Sequence, residues 1–344
     1  MASVVSAATG IRPGLGSGRD TRWQQTVKEA VRDPRQLCQL LRLPDQFVAD
    51  AMRGGAGFAT LVPRGYVARM RIADPSDPLL RQVLPTAAEN DSTPGFQRDP
   101  VGDGAAARQP GLLRKYQGRV LIVTSGACPV HCRYCFRRHF PYHRLPKAPA
   151  AWQAARAQIA GDHSLREVIL SGGDPLSISD ERLAELVRDL ATSPHLRRLR
   201  VHTRFPIVIP ERVTDAMLAW LTGTRLTPIV VLHANHSAEL DGNVARAIVR
   251  LVEAGVTVLN QSVLLAGVND GLESLLALCE KLVDLRAIPY YLHQLDRVSG
   301  AAHFDVPVEK GKRLIRALRR RLPGYAVPRY VQEVPGRRSK VVLA

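Results

Sequence analysis

The chain has 344 residues, 45% of them hydrophobic, which suits one large α/β domain or two ordinary ones and excludes global disorder. No apolar run approaches the roughly 20 residues of a membrane helix, so no membrane association is expected, and Met1 to Asp20 has no apolar segment of the secretory kind. The net charge of +17 comes from 48 basic and 31 acidic residues; seven of the basic residues are lysines and the arginines run along the whole chain, so the charge reads as composition, and no direct nucleic-acid contact is expected of it.

In chain order, Trp23 to Val31, Gln36 to Leu41 and Gln46 to Met52 carry helix-like apolar spacing. Asp33-Pro34 and Gly54-Gly55 interrupt them. Thr86 to Gly111 is polar and rich in Pro and Gly, so it reads as a long loop or linker. Strand and helix patterns then alternate. Strands are expected at Arg119–Thr124, Glu167–Ser171, Arg198–Thr203, Pro228–His233, Thr257–Val263, Ile288–His293 and Arg329–Glu333. Ser179 can cap a helix with Leu183, Leu186, Val187 and Leu190 on one face. Asp241 can cap another, with Val244, Ile248, Leu251 and Val252 on one face and Gly255 as its stop. Such alternation implies a parallel sheet with helices outside it, and this many units fits an α/β fold of the partial β/α, TIM-like barrel kind. The expected organisation is a helical, irregular region over residues 1–111, the barrel over 112–328 and a C-terminal segment over 329–344.

Three of the five cysteines crowd together in Cys128-Pro-Val-His-Cys132-Arg-Tyr-Cys135. An odd count with that clustering argues against a disulfide framework and for a metal site in a reducing compartment, so a cytoplasmic location is expected. Three thiolates on one loop can bind three irons of a [4Fe–4S] cluster and leave the fourth iron open. A zinc site completed by His131 or His139 is the alternative, but zinc sites usually draw on C-x2-C pairs. The loop follows the first barrel strand, where barrel enzymes place their chemistry. Ser171-Gly172-Gly173-Asp174-Pro175 follows the second strand, and its glycines permit close backbone approach to a cofactor or form an ordinary turn.

The x3–x2 cysteine spacing, with Tyr134 just before the last cysteine, resembles the signature of radical S-adenosylmethionine enzymes. The segments Cys132–Phe140, Ser171–Leu176, Asn260–Leu265, Gly267–Asp270, Pro289–His293 and Gly300–Phe304 resemble the lysine 2,3-aminomutase family, over most of the chain from about Asp77 onward. The runs Phe136–Tyr142 and Tyr291–Asp296 and the short C-terminus look most like the branch that supplies β-lysine for modifying elongation factor P.

That resemblance implies a radical 1,2-amino migration on free lysine, with a cluster, S-adenosylmethionine and pyridoxal 5′-phosphate as cofactors. It also implies Cys128, Cys132 and Cys135 as iron ligands, and Gly172, Gly173 and Asp174 beside the methionyl amine. His233 and Gln261 match positions that contact S-adenosylmethionine, although a lone strand-end His is often structural. Lys340, after Pro335-Gly336, matches the lysine that binds the pyridoxal group; Arg337, Arg338 and Ser339 stand there in place of most of the family's glycines. Arg137 matches the carboxylate-binding arginine, or is surface charge. Asp296 and Glu333 match the acids that hold the side-chain ammonium, or are solvated surface acids. Lys115 and Arg119 either meet the cofactor phosphate or solvate the entry of the first strand. Implied partners are a flavodoxin or ferredoxin as electron donor and, indirectly, elongation factor P with its lysyl-type ligase. The rival readings are a radical aminomutase for another amino acid and a basic zinc-containing nucleic-acid-binding module.

Overall fold

A computed structural model describes residues 22–55, 57–145 and 150–344. Met1 to Asp20, read above for a secretory signal, lie outside the described residues. Ten strands form one sheet in sequence order. They are β1 (Ala107–Gln109), β2 (Leu112–Leu113), β3 (Arg119–Ser125), β4 (Glu167–Gly172), β5 (Arg198–Thr203), β6 (Thr227–Leu232), β7 (Thr257–Val263), β8 (Ile288–His293), β9 (Arg329–Gln332) and β10 (Val341–Val342). From β3 to β9 every neighbouring pair is parallel. The short end strands β1, β2 and β10 pair antiparallel. Seven parallel strands with helices in the crossovers make the partial β/α barrel that the alternation implies.

The helices form where the apolar stripes run. Helix Asp180–Ala191 buries Leu183, Leu186, Val187 and Leu190, each at most 1% exposed. Burying a Leu or Val side chain of this kind stabilises the fold by about 1.5–3 kcal/mol. Ser179 occupies the N-cap position, but its side chain makes no capping bond; Asp180 and Glu181 lie in the first turn, where negative charge suits the positive helix end. Asp241 does cap Gly242–Glu253, accepting from Val244 N at 2.9 Å, and Gly255 ends that helix with φ of 83°. A side chain at that φ would be strained, so glycine is the fitting stop.

The outer segments are not set apart from the barrel. Trp23, Leu37, Tyr66 and Leu79 share one hydrophobic core with Val168, Leu170, Leu199 and Val201. The segment read as a linker, 86–111, is folded: it holds a 3-10 turn at Ala87–Asn90, a helical turn at Asp103–Ala106, and β1. Residues 329–344 supply the last parallel strand and the hairpin partner β10. The polar composition of 86–111 hid its structure, because a loop bound to a barrel wall lacks periodicity as a free linker does.

Candidate active site

Strand alternation divides the sheet into two faces. Val168, Leu170, Leu199, Val201, Leu292 and Tyr330 point into the cores beneath the helices. The residues between them, Ile169, Ser171, Arg200, His202, Tyr291, His293, Arg329 and Val331, line a cavity of about 460 Å³. All fourteen residues singled out in the sequence line this cavity, the three cysteines and Lys340 among them. Burying so many polar groups without partners would be costly, so the inner face is a working surface and not a packed core.

The cysteine loop is tied down on three sides. Gly173 N donates to Ser125 O at 2.7 Å and Asp174 N to Ala127 O at 2.8 Å. A Cβ on Gly172 would stand 2.5 Å from Ser125 O, and one on Gly173 would stand 2.4 Å from Ala127 O. These glycines therefore let the end of β4 press against the backbone leading to Cys128. Within the loop, Arg133 is fully buried, and its Nε and Nη2 donate to the two oxygens of Glu89 at 2.7 and 2.6 Å. Arg138 joins the same carboxylate at 2.7 Å. On the third side Arg204 Nη1 donates to Cys132 Sγ at 2.7 Å, while its Nη2 reaches Glu239 Oε1 at 2.7 Å. Burial, with neighbouring cysteines, pushes the Cys135 thiol up to about 11 and the Cys128 thiol well above its usual value. Among the described residues no three His, Cys, Asp or Glu side chains converge on a single ion.

Further in, charges are paired hand to hand. Arg137 lies over the Phe136 ring at 4.9 Å, donates from Nε to Asp103 Oδ2 at 2.8 Å and from Nη1 to Ser171 Oγ at 2.9 Å. It is 7% exposed, which disposes of the surface-charge alternative. Asp103 Oδ1 lies 2.7 Å from Lys115 Nζ. Glu333 accepts from Tyr116 Oη and from Lys340 Nζ, both at 2.5 Å. Burial raises the Glu333 carboxyl, but Lys340 and its hydrogen bonds outweigh that and hold it below the usual range. Asp296 is partly buried; burial pushes it up to about 7, opposed by Lys340. Neither acid is a solvated surface group. Lys310 and Lys312 lie outside this cavity: Lys310 pairs with Asp270 at 2.5 Å and Lys312 with Glu309 at 2.8 Å.

The remaining walls carry imidazoles. Gln261 Nε2 lies 3.0 Å from His233 Nε2, and an amide NH₂ can only donate, so that histidine nitrogen is the acceptor. Burial lowers His233 to about 3 and holds His202 and His293 well below the usual value, so all three are neutral at pH 7. His202 Nε2 and His293 Nε2 are buried without a partner among the described residues, as is Arg119 Nε. Asp174 is buried, which raises it to about 6, and its carboxylate takes bonds from Leu176 N, Thr203 Oγ1 and Arg204 N.

A three-cysteine loop of x3–x2 spacing, set after the first parallel strand of a partial barrel and opening into its lumen, defines the radical S-adenosylmethionine class of iron–sulfur enzymes. Residues 117–199 match the family described as a 4Fe-4S single cluster domain. The chain is 40% identical over 325 residues to the L-lysine 2,3-aminomutase of Haemophilus influenzae, covering 94% of this chain and 96% of that one. It is 42% identical over 322 residues to the L-lysine 2,3-aminomutase of Escherichia coli, covering 93% and 94%. The protein of the same name from Clostridium subterminale is 34% identical over 327 residues, covering 92% of this chain and 76% of that one. The chain belongs to the lysine 2,3-aminomutase family.

Sequence reasoning missed Asp103, Tyr116, Arg200, His202, Arg204 and His293, all in the cavity wall. A period-two reading of β5 and β8 could have found His202 with Arg200 and His293 with Tyr291. Nothing in Gly102-Asp103-Gly104 points to a buried acid.

Proposed function

We propose that this chain converts free L-lysine to β-lysine by moving the amino group from Cα to Cβ, with a [4Fe–4S] cluster, S-adenosylmethionine and pyridoxal phosphate as cofactors. The observation that carries the reading is one cavity that three thiols, two lysine amines, three buried arginines and four carboxylates share. The unpartnered Arg119 Nε and the bare Nε2 atoms of His202 and His293 fit a cavity that holds polar cofactors, since buried polar atoms otherwise find partners. When bound, the cluster with S-adenosylmethionine supplies a carbon radical and pyridoxal phosphate carries the migrating nitrogen.

The residues divide the remaining work. Cys128, Cys132 and Cys135 hold three irons and leave the fourth for S-adenosylmethionine. Gly172, Gly173 and Asp174 shape the strand end beside it, with His233 and Gln261 on the facing wall. Lys340 is the amine that takes the pyridoxal group, and Glu333 holds it as an ammonium while it is free. Lys115 and Arg119 receive the phosphate. Arg137, with Nε and Nη1 engaged, has Nη2 left to grip the substrate carboxylate. Asp296 and Glu333 receive the side-chain ammonium and disfavour a substrate with a second carboxylate. We take residues 112–328 as the catalytic barrel, 1–111 as the region that precedes it and 329–344 as the segment that adds the last parallel strand and brings Lys340.

Two further assignments belong to the same reading. The cluster draws its electron from a flavodoxin or ferredoxin, in the cytoplasm, where free thiols persist. The product passes to a ligase that attaches it to elongation factor P; the support is the likeness of Phe136–Tyr142 to that branch. Arg137 favours free lysine over a protein-bound one, whose carboxylate is an amide and would leave a buried cation unpaired.

The test is protein purified without oxygen and supplied with lysine, S-adenosylmethionine and a reductant, with products separated and weighed by mass spectrometry. β-Lysine is expected. Unchanged lysine, with turnover of another amino acid, would overturn the substrate. Deleting the gene and finding the mass of elongation factor P unchanged would remove that role alone.

A further inference from the structure

Asp103 lies in the stretch whose composition reads as a linker, yet it is 2% exposed. Its carboxylate stands between two cations. Arg137 Nε donates to one oxygen at 2.8 Å, and Lys115 Nζ lies 2.7 Å from the other. The acid itself is held firmly. Gly102 precedes it in the left-handed region with φ of 68°, and Asp103 N and Gly104 N donate to the two oxygens of Asp99, each at 2.9 Å. Burial raises the Asp103 carboxyl, but Arg137 and Lys115 outweigh that and keep it ionised.

Resting on the reading above, we infer that Asp103 is a positioning residue that aims the two cations gripping the reactants' anionic groups, Arg137 for the substrate carboxylate and Lys115 for the cofactor phosphate. One hydrogen bond and one ion pair, brought by different parts of the chain, need two oxygens at one point, and a buried carboxylate is the side chain that offers them. It also offsets the repulsion between the buried Arg137 and the half-buried Lys115 before either ligand arrives. With Nε on Asp103 and Nη1 on Ser171, the guanidinium plane of Arg137 is set, so its free edge points in one direction.

Asp103→Asn is the decisive variant. It keeps the shape but offers one acceptor and one donor, so it satisfies one cation and repels the other. The Kd for pyridoxal phosphate, titrated by absorbance without lysine, or the KM for lysine is expected to rise at least tenfold. The kcat at saturation should fall less than threefold, and iron per chain should stay unchanged. Asp103→Glu, which restores two acceptors, should recover most of the loss. Both constants within twofold of the parent in Asp103→Asn would overturn the proposal. So would a joint fall of iron content, Tm and kcat with no rescue by glutamate, which marks a merely structural ion pair. If the parent protein leaves lysine unchanged, the functional reading falls, and the pyridoxal phosphate titration alone decides: a tenfold rise supports the proposal and an unchanged Kd overturns it.

Discussion

The cysteine loop and the lysine-bearing hairpin face the same cavity but are built in opposite ways. Around the cysteines, the charges are saturated by fixed partners: Glu89 holds Arg133 and Arg138, and Glu239 holds Arg204. These groups are almost wholly buried, and the acids come from distant segments of the chain. Lys340, by contrast, follows the exposed turn Pro335–Ser339 and is anchored by the two-residue strand β10 and one ion pair to Glu333. A loop that must present three thiolates in register gains from rigidity. An amine that must exchange one partner for another needs a lightly held segment.

The largest effects should come from breaking the working atoms on each side. Cys132→Ala is expected to abolish both bound iron and S-adenosylmethionine cleavage, read by metal analysis and by release of 5′-deoxyadenosine. Cys38→Ala and Cys279→Ala, in core positions away from the cavity, should change neither. Retention of iron in Cys132→Ala would break the comparison at its first term. Lys340→Ala should abolish turnover as completely, yet leave iron content and Tm near those of the parent, because the hairpin carries little of the fold. Borohydride trapping followed by peptide mapping should place the pyridoxal group on Lys340; a tag on Lys310 or Lys312 would refute that.

A smaller, graded effect separates rigid from mobile charge. Glu89→Ala leaves Arg133 fully buried with no carboxylate, and should cost about 3–5 kcal/mol of stability in denaturant unfolding. Cluster content should fall with it. A loss under 1 kcal/mol would mean that the loop does not depend on this brace.

The smallest effect is a pH dependence at the lysine side. Burial brings Asp296 to about 7, so below that pH it is protonated and cannot pair with the substrate ammonium. The kcat/KM for lysine, which reports the free enzyme, should therefore rise with pH through about 7 and then level off. Asp296→Asn should lower kcat/KM and remove that limb of the profile. An unchanged limb in the variant would assign the titration to another group.

Much of this was legible in the amino-acid sequence. The bounds expected for β5, β7 and β8 coincide with the strands found, because apolar, β-branched runs bounded by helical stripes report local pairing and burial. The cysteine spacing named its chemistry because three ligands on one loop are a local feature. Tertiary structure alone decided which charges meet. Asp103 reaches Arg137 across 34 residues, Glu89 reaches Arg133 across 44, and Tyr116 reaches Glu333 across 217. Such pairs depend on which strand faces turn inward and how the segment before the barrel wraps it, and neither leaves a periodic trace. Glu333 was expected to wait for a substrate ammonium; in the folded chain it already holds Lys340, because β9 and β10 pair antiparallel and bring residues 333 and 340 together.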